Sequence, residues 1–320
     1  MKTCSHKVGQ LLLKSGFLGI KRRSDSPKRP IIAAHRQGVA ASGPLKFNRI
    51  MCRFVSDQNI MPVQRFIRYF DKKEMPMIEL HSSPTPNGQK VMIMLEETGV
   101  EWKHIDVNIG IGEQFNPEHL RLSPNNKIPA IVDTEGPGGD PYPMMESGAI
   151  LFYLAEKTGK FLPKDARKRY DTMQWLFFQV AHVGPMFGQA NHFNGKSMDN
   201  PYSRDRYNNE SLRIYRVLDN RLGTSQWLAC DEYTIADIAT YPWCKGHKER
   251  GIDKTAFPNF MRWFESLESR PAIQRSNGMA AEIRARMNKA AEGQPVINIY
   301  DTKDNGERLT QATSKPDALM

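Results

Sequence analysis

Hydrophobic and polar positions change rhythm twice along the chain. From Met77 a period of two sets in: Ile78-Glu79-Leu80-His81 predicts a short strand. Residues 83–88, Ser-Pro-Thr-Pro-Asn-Gly, are dense turn chemistry, and 89–98 predict a helix with Val91, Met94 and Leu95 on one face and Gly99 at its C-terminal end. Ile105, Val107 and Ile109 then alternate with His104, Asp106 and Asn108, a second strand that completes a βαβ unit. After the turn-rich 123–126 come a third strand at 128–133, a Gly/Pro hairpin loop at 136–141 and a fourth strand at 142–145. A helix opens at Glu146-Ser147 and runs through Ile150, Leu151 and Leu154 to Gly159.

Past Pro163 helical spacing takes over, carried by Trp175, Leu176, Phe178 and Phe187 and later by Trp227, Tyr241, Trp243, Phe260, Trp263 and Phe264. Thr234-Ile235-Ala236-Asp237 reads as a capping box with Tyr233 stapled onto the following apolar face. The expected organisation is a basic leader at 1–74, an α/β domain at 77–162, an all-helical domain at 166–288 and a polar, aperiodic tail at 289–320.

Composition sharpens this division. The net charge of +10 invites a nucleic-acid reading, but residues 1–70 hold 14 Lys and Arg against Asp25 and Asp57, so the remainder is close to neutral at −2. Nucleic-acid binding is therefore not expected. Lys7, Lys14 and Lys21 recur along one helical side, and Val63, Phe66, Ile67 and Phe70 form an apolar stripe. Gly9, Gly16, Gly19, Pro27 and Pro30 break the first helix, so the leader reads as disordered, with a mitochondrial transit peptide as the alternative. No apolar run is long enough to span a bilayer, and membrane insertion is not expected. Four scattered cysteines, Cys4, Cys52, Cys230 and Cys244, fit a reducing cytoplasmic compartment. The histidines show no metal-ligand spacing, and Cys244-x-x-His247 alone is not a zinc site, so no metal is expected.

Several motifs occur in order: 85–90 (Thr-Pro-Asn-Gly-Gln-Lys), Gln114-Phe115, 123–131 (Ser-Pro-Asn-Asn-Lys-Ile-Pro-Ala-Ile), 146–151 (Glu-Ser-Gly-Ala-Ile-Leu), 153–157 and 174–177. Over about residues 77–275 the chain resembles the glutathione transferase superfamily, and the series is similar to its bacterial nu-class branch of glutathione-dependent disulfide-bond oxidoreductases. The resemblance implies a thioredoxin-like N-terminal domain followed by a helical C-terminal domain, with glutathione, reduced or oxidised, as cosubstrate. Glutathione carries two carboxylates and a thiol that reacts as thiolate, so its site needs anion cradles, a backbone-pairing edge and a thiolate stabiliser. Glu146 and Ser147 at a helix N-terminus suit the γ-glutamyl carboxylate. Ile128 before a cis-Pro129 suits the cysteinyl backbone, with Lys127 beside it.

Thr85 and Asn87 stand where relatives carry a reactive Cys, Tyr or Ser. Both can donate a hydrogen bond to sulfur, and the helix beginning near Gly88 adds positive potential. By the same resemblance Gln114, Gln174 and Arg206 are further glutathione contacts. Phe178, His182, Met186, Phe187, His192 and Phe193 are either the electrophile side or helix core. The expected activity is disulfide reduction by bound glutathione thiolate, with transferase or peroxidase side activity, in a homodimer. The alternatives are a glutathione-binding regulatory protein, as in a fungal nitrogen regulator of this fold, and a conjugating transferase.

Overall fold

The computed structural model describes residues 78–195, 199–295, 297, 306 and 307. The leader, with its predicted stripes, Cys4 and Cys52, and most of the tail lie outside the described residues.

Strand β1 (Ile78–Ser82) is followed by helix α1 (Pro86–Thr98) and strand β2 (Trp102–Asp106), which pairs parallel to β1. A 3-10 turn (Glu113–Phe115) and the short helix α2 (Pro117–Leu122) lead to β3 (Ala130–Asp133) and β4 (Tyr142–Met145), both antiparallel additions, giving the sheet order β2-β1-β3-β4. Helix α3 (Ser147–Thr158) closes this half on a left-handed Gly159. The predicted βαβ unit and hairpin are therefore present, as a four-stranded mixed sheet.

Two boundaries differ from expectation. Helix α1 starts three residues early because Thr85 caps it and Pro86 occupies its first turn, where a missing N–H costs nothing. Strand β2 ends at Asp106, the partner of Ser82, because β1 ends there: the Val107 N–H still reaches the Ser82 carbonyl at 3.1 Å, but the ladder does not continue through Asn108 and Ile109 despite their alternation. Helix α1 also differs in character. Every residue from Gly88 to Leu95 is buried, since α3 covers one side and two helices of the C-terminal half cover the other.

Those two belong to an all-helical half: α4 (Ala166–Phe178), a single π turn (Gln179–Val183), α5 (Gly184–Phe193), α6 (Pro201–Thr224), α7 (Ile235–Cys244), α8 (Pro258–Glu268) and α9 (Pro271–Ala290). Phe187, Tyr215 and Phe260 meet at its centre, Phe187 stacked on Tyr215 with centroids 4.9 Å apart and Phe260 edge-on to Tyr215 at 5.0 Å. The predicted capping box is present at α7. Asp237, fully buried, accepts from the backbone N–H groups of Thr234 (3.0 Å) and Leu228 (3.0 Å) and from Trp263 Nε1 (2.8 Å).

Helix α9 returns to the N-terminal half and straps it. Arg270, its N-cap, forks onto Glu97 at 2.6 and 3.0 Å, Arg275 reaches Glu96 at 2.7 Å, and Arg286 forks onto Asp106 at 2.7 and 2.6 Å.

Candidate functional site

The turn between β1 and α1 is tightly specified. Thr85 Oγ1 accepts the Gly88 N–H at 3.4 Å, which leaves the hydroxyl's own proton to be donated elsewhere. Gly88 is required: a Cβ there would stand 2.1 Å from the Ser83 carbonyl oxygen. Ser83 Oγ donates to the Val107 carbonyl at 2.5 Å, and Arg284 of α9 donates to the Pro84 carbonyl at 2.8 Å. Asn87 receives the Trp243 indole N–H on Oδ1 at 3.0 Å. An indole nitrogen only donates, so the amide orientation is fixed and Nδ2, the donor end, is left for a ligand. A cavity of about 510 Å³ opens beside this turn, lined by Pro84, Pro86, Trp243, Lys245 and Arg284.

A second group of predicted residues gathers at α3. Glu146, exposed, holds φ +70° at the N-cap, and Ser147 behind it is buried. Lys90 of α1, only 2% exposed, donates from Nζ to Ser147 Oγ at 3.1 Å. Burial pushes the Lys90 ammonium down to about 7, against the opposing pull of Glu146. The Ile128–Pro129 bond is cis, and Ile128 precedes the β3 ladder by two residues. Lys127 is exposed, and its carbonyl pairs with His119 Nε2 at 3.1 Å. Gln114 is 4% exposed, with its Oε1 buried and without a partner among the described residues.

Other expected contacts lie apart. Gln174 sits on the exposed face of α4 and donates to Asp171 at 2.6 Å. Arg206, exposed on α6, lines a groove of about 860 Å³ with His182 and Met186, and that groove shares no lining residue with the cavity at the turn. Of the two readings for Phe187, the structure has helix core: it is fully buried between Tyr215 and the Arg250 guanidinium. Phe178 packs between Trp175 and His182, and Phe193 stacks on Tyr207.

Neither described cysteine is a nucleophile candidate. Burial pushes the Cys244 thiol up to about 12 and raises that of Cys230. Ser82, His104 and Asp106 connect like a hydrolytic triad, at 3.0 and 2.8 Å, but Ser82 has no exposed surface and Asp106 is taken by Arg286. They form a structural chain from the sheet to α9.

With this geometry in place, two family models match the chain. The glutathione S-transferase N-terminal domain covers residues 75–156, and the glutathione S-transferase C-terminal domain covers 191–271. The disulfide-bond oxidoreductase YfcG of Escherichia coli is 50% identical over 198 residues, covering 61% of this chain and 92% of that protein. The chain belongs to the glutathione S-transferase family. The transcriptional regulator URE2 of Saccharomyces cerevisiae is 31% identical over 259 residues, covering 68% of this chain and 72% of its own. A glutathione transferase from Pseudomonas putida, solved with one glutathione disulfide bound per subunit, matches with TM-score 0.60 and 45% identity over 65% of this chain and 94% of its own.

In this glutathione S-transferase two site residues escaped the sequence reading. Trp243 reads only as helix core, and Lys90 appears only inside the 85–90 motif, with no role of its own. Its one sequence signal is its neighbourhood: Val91 to Leu95 is an unbroken apolar run, too long for one face of a helix.

Proposed function

We propose that this glutathione S-transferase reduces disulfides with glutathione as the nucleophile and uses no cysteine of its own. The carrying observation is the turn at 85–88. Thr85 and Asn87 each keep a proton to donate, Asn87 because Trp243 holds its oxygen, and both stand at the N-terminus of α1. Two donors and a helix dipole lower a thiol's pKa by stabilising its charged form. The thiolate attacks one sulfur of the substrate disulfide, that S–S bond breaks, and one substrate thiolate leaves and takes a proton. A second glutathione thiolate then attacks the glutathionyl sulfur of the mixed disulfide, releasing oxidised glutathione and the second substrate thiol. The disulfide-oxidoreductase name of YfcG and the glutathione disulfide in the Pseudomonas putida structure support this order.

The helix N-terminus at Glu146 and Ser147, through its free N–H groups and the Ser147 hydroxyl, holds the γ-glutamyl carboxylate, Ile128 the cysteinyl backbone, with Lys127 beside it, and Gln114 the glycyl end. Arg206 and Gln174 stay second-tier contacts. The test is glutathione-dependent reduction of a small disulfide by wild type and by the Thr85→Ala/Asn87→Ala double variant. The double variant is expected to lose roughly 100-fold in turnover with its melting point kept. A well-folded wild type that binds glutathione but reduces no disulfide would move the reading to a regulatory role, the one the URE2 likeness favours.

The same reading includes a homodimer and a cytoplasmic location. Phe177, 61% exposed, borders an apolar groove of about 580 Å³ with Met144, Phe152 and Val180, a face suited to a second copy. Intact mass from the native source separates the cytoplasmic full-length chain from one trimmed after organelle import.

A further inference from the structure

The ammonium of Lys90 is an unusual group to find under a binding site. It lies inside α1, its one recorded partner is Ser147 Oγ at 3.1 Å, and among the described residues no carboxylate forms an ion pair with it. A buried cation needs compensation from hydrogen bonds or an anion, and a single hydroxyl supplies little of it. Ser147 in turn accepts from Lys90, so its own proton has no acceptor there and is free to be donated outward. At the same spot the first N–H groups of α3 are open, and Glu146, at φ +70°, swings its side chain into solvent rather than over the helix end. Apart from the Glu146 carboxylate, the groups at this end of α3 donate, and Glu146, which forms no ion pair with Lys90, balances the ammonium's charge only in part.

We propose that Lys90 is a positioning residue for the γ-glutamyl end of glutathione: it holds Ser147 Oγ as an acceptor so that the hydroxyl proton points at the ligand carboxylate, and it takes up a proton when that carboxylate docks. This rests on the placement of the γ-glutamyl group at Glu146-Ser147. The arriving anion supplies the missing counter-charge and so stabilises the protonated ammonium. Burial already holds Lys90 near neutrality, so the proton it gains is one the free protein partly lacks at neutral and mildly alkaline pH. Glu146, at the start of α3, is the charge that acts on Lys90; of the charged groups on the other elements around α1, Arg270, Arg275 and Arg284 of α9 are held by Glu97, Glu96 and the Pro84 carbonyl, and Asp237 of α7 by its own cap and Trp263.

The experiment is calorimetric titration with S-methylglutathione, whose thioether removes the thiol's own titration, in two buffers of different protonation enthalpy, at about pH 8 and about pH 6. Wild type is expected to take up part of a proton at the higher pH and almost none at the lower, where Lys90 is already charged. Lys90→Met should abolish the uptake and weaken binding roughly tenfold. Lys90→Arg, charged throughout, should keep much of the affinity without uptake. An analogue with hydrogen in place of the γ-glutamyl α-carboxylate should bind wild type and Lys90→Met equally. In steady state KM for glutathione should rise in Lys90→Met while kcat holds.

Absence of proton uptake by wild type at the higher pH, a result that needs no variant to fold, overturns the proposal. So does wild-type affinity in Lys90→Met. If wild type binds the analogue lacking the γ-glutamyl α-carboxylate as tightly as it binds S-methylglutathione, the placement of the γ-glutamyl group fails instead.

Discussion

At the scale of single residues, the site depends on hydrogen-bond direction more than on residue type. Thr85 and Ser147 are both hydroxyls at helix N-termini that already accept one bond, from Gly88 N–H and from Lys90, and so have one proton each to give. Asn87 reaches the same condition through Trp243. Trp243→Phe keeps an aromatic ring but removes the indole N–H together with the ring that carries it, so the Asn87 amide becomes free to rotate. Turnover with a small disulfide is expected to drop about tenfold with little change in melting temperature, checked by initial rates beside a thermal melt. Unchanged rates would mean that Asn87 is oriented by something other than the indole. None of this direction was legible in the sequence. Thr85, Asn87, Glu146 and Ser147 stand out as turn and cap residues, but Trp243 lies 156 positions from Asn87. For Lys90 the apolar run 91–95 hints at cover on every side, but nothing local says that two helices from the other half supply it.

At the scale of elements, local patterning specified types well and ends less well. The capping box at Thr234 and Asp237 was readable because all its parts lie within four residues. The end of β2 was not, because alternation in 105–109 continues past the point where β1 stops offering a partner. The sheet half carries a pH dependence of its own. His81, His104 and His119 are each held below the ordinary histidine value chiefly by burial, in the face of Glu79, of Asp106 and of the Lys127 carbonyl respectively. The unfolded chain binds those protons more readily than the folded one. Stability is therefore expected to fall as pH drops below about 6.5, and to be regained as pH rises through that window. Urea midpoints measured on either side of it test this, and His104→Gln should flatten the slope.

At the scale of the whole molecule, an amphipathic strap and an apolar face decide how the parts cohere. The face at Phe177 and Phe152 has no cover within the described chain. Phe177→Glu is expected to convert a dimer to a monomer by light scattering, and an unchanged mass would remove this face from the interface. The α9 ion pairs at Glu96 and Asp106 use half-exposed arginines and should contribute modestly, about 0.5 kcal/mol each, screened by salt. The buried contacts of the same helix matter more: Ile273, Ala280, Ile283 and Met287 all lie within the core.

The position of α9 in the chain has a consequence for synthesis. The carbonyl of Pro84, next to Thr85, is held by a residue made 200 positions later, and α1 lacks one of its covers until α9 exists. A ribosome thus exposes the sheet, α1 and most of the helical half before the turn at Thr85 can be clamped, and the long-range closure comes last. Competence to bind glutathione should therefore appear all at once near completion of α9, rather than with the N-terminal half. Nascent chains stalled after Leu267 should fail to stay on immobilised glutathione, whereas chains extended past Ala290 should be retained.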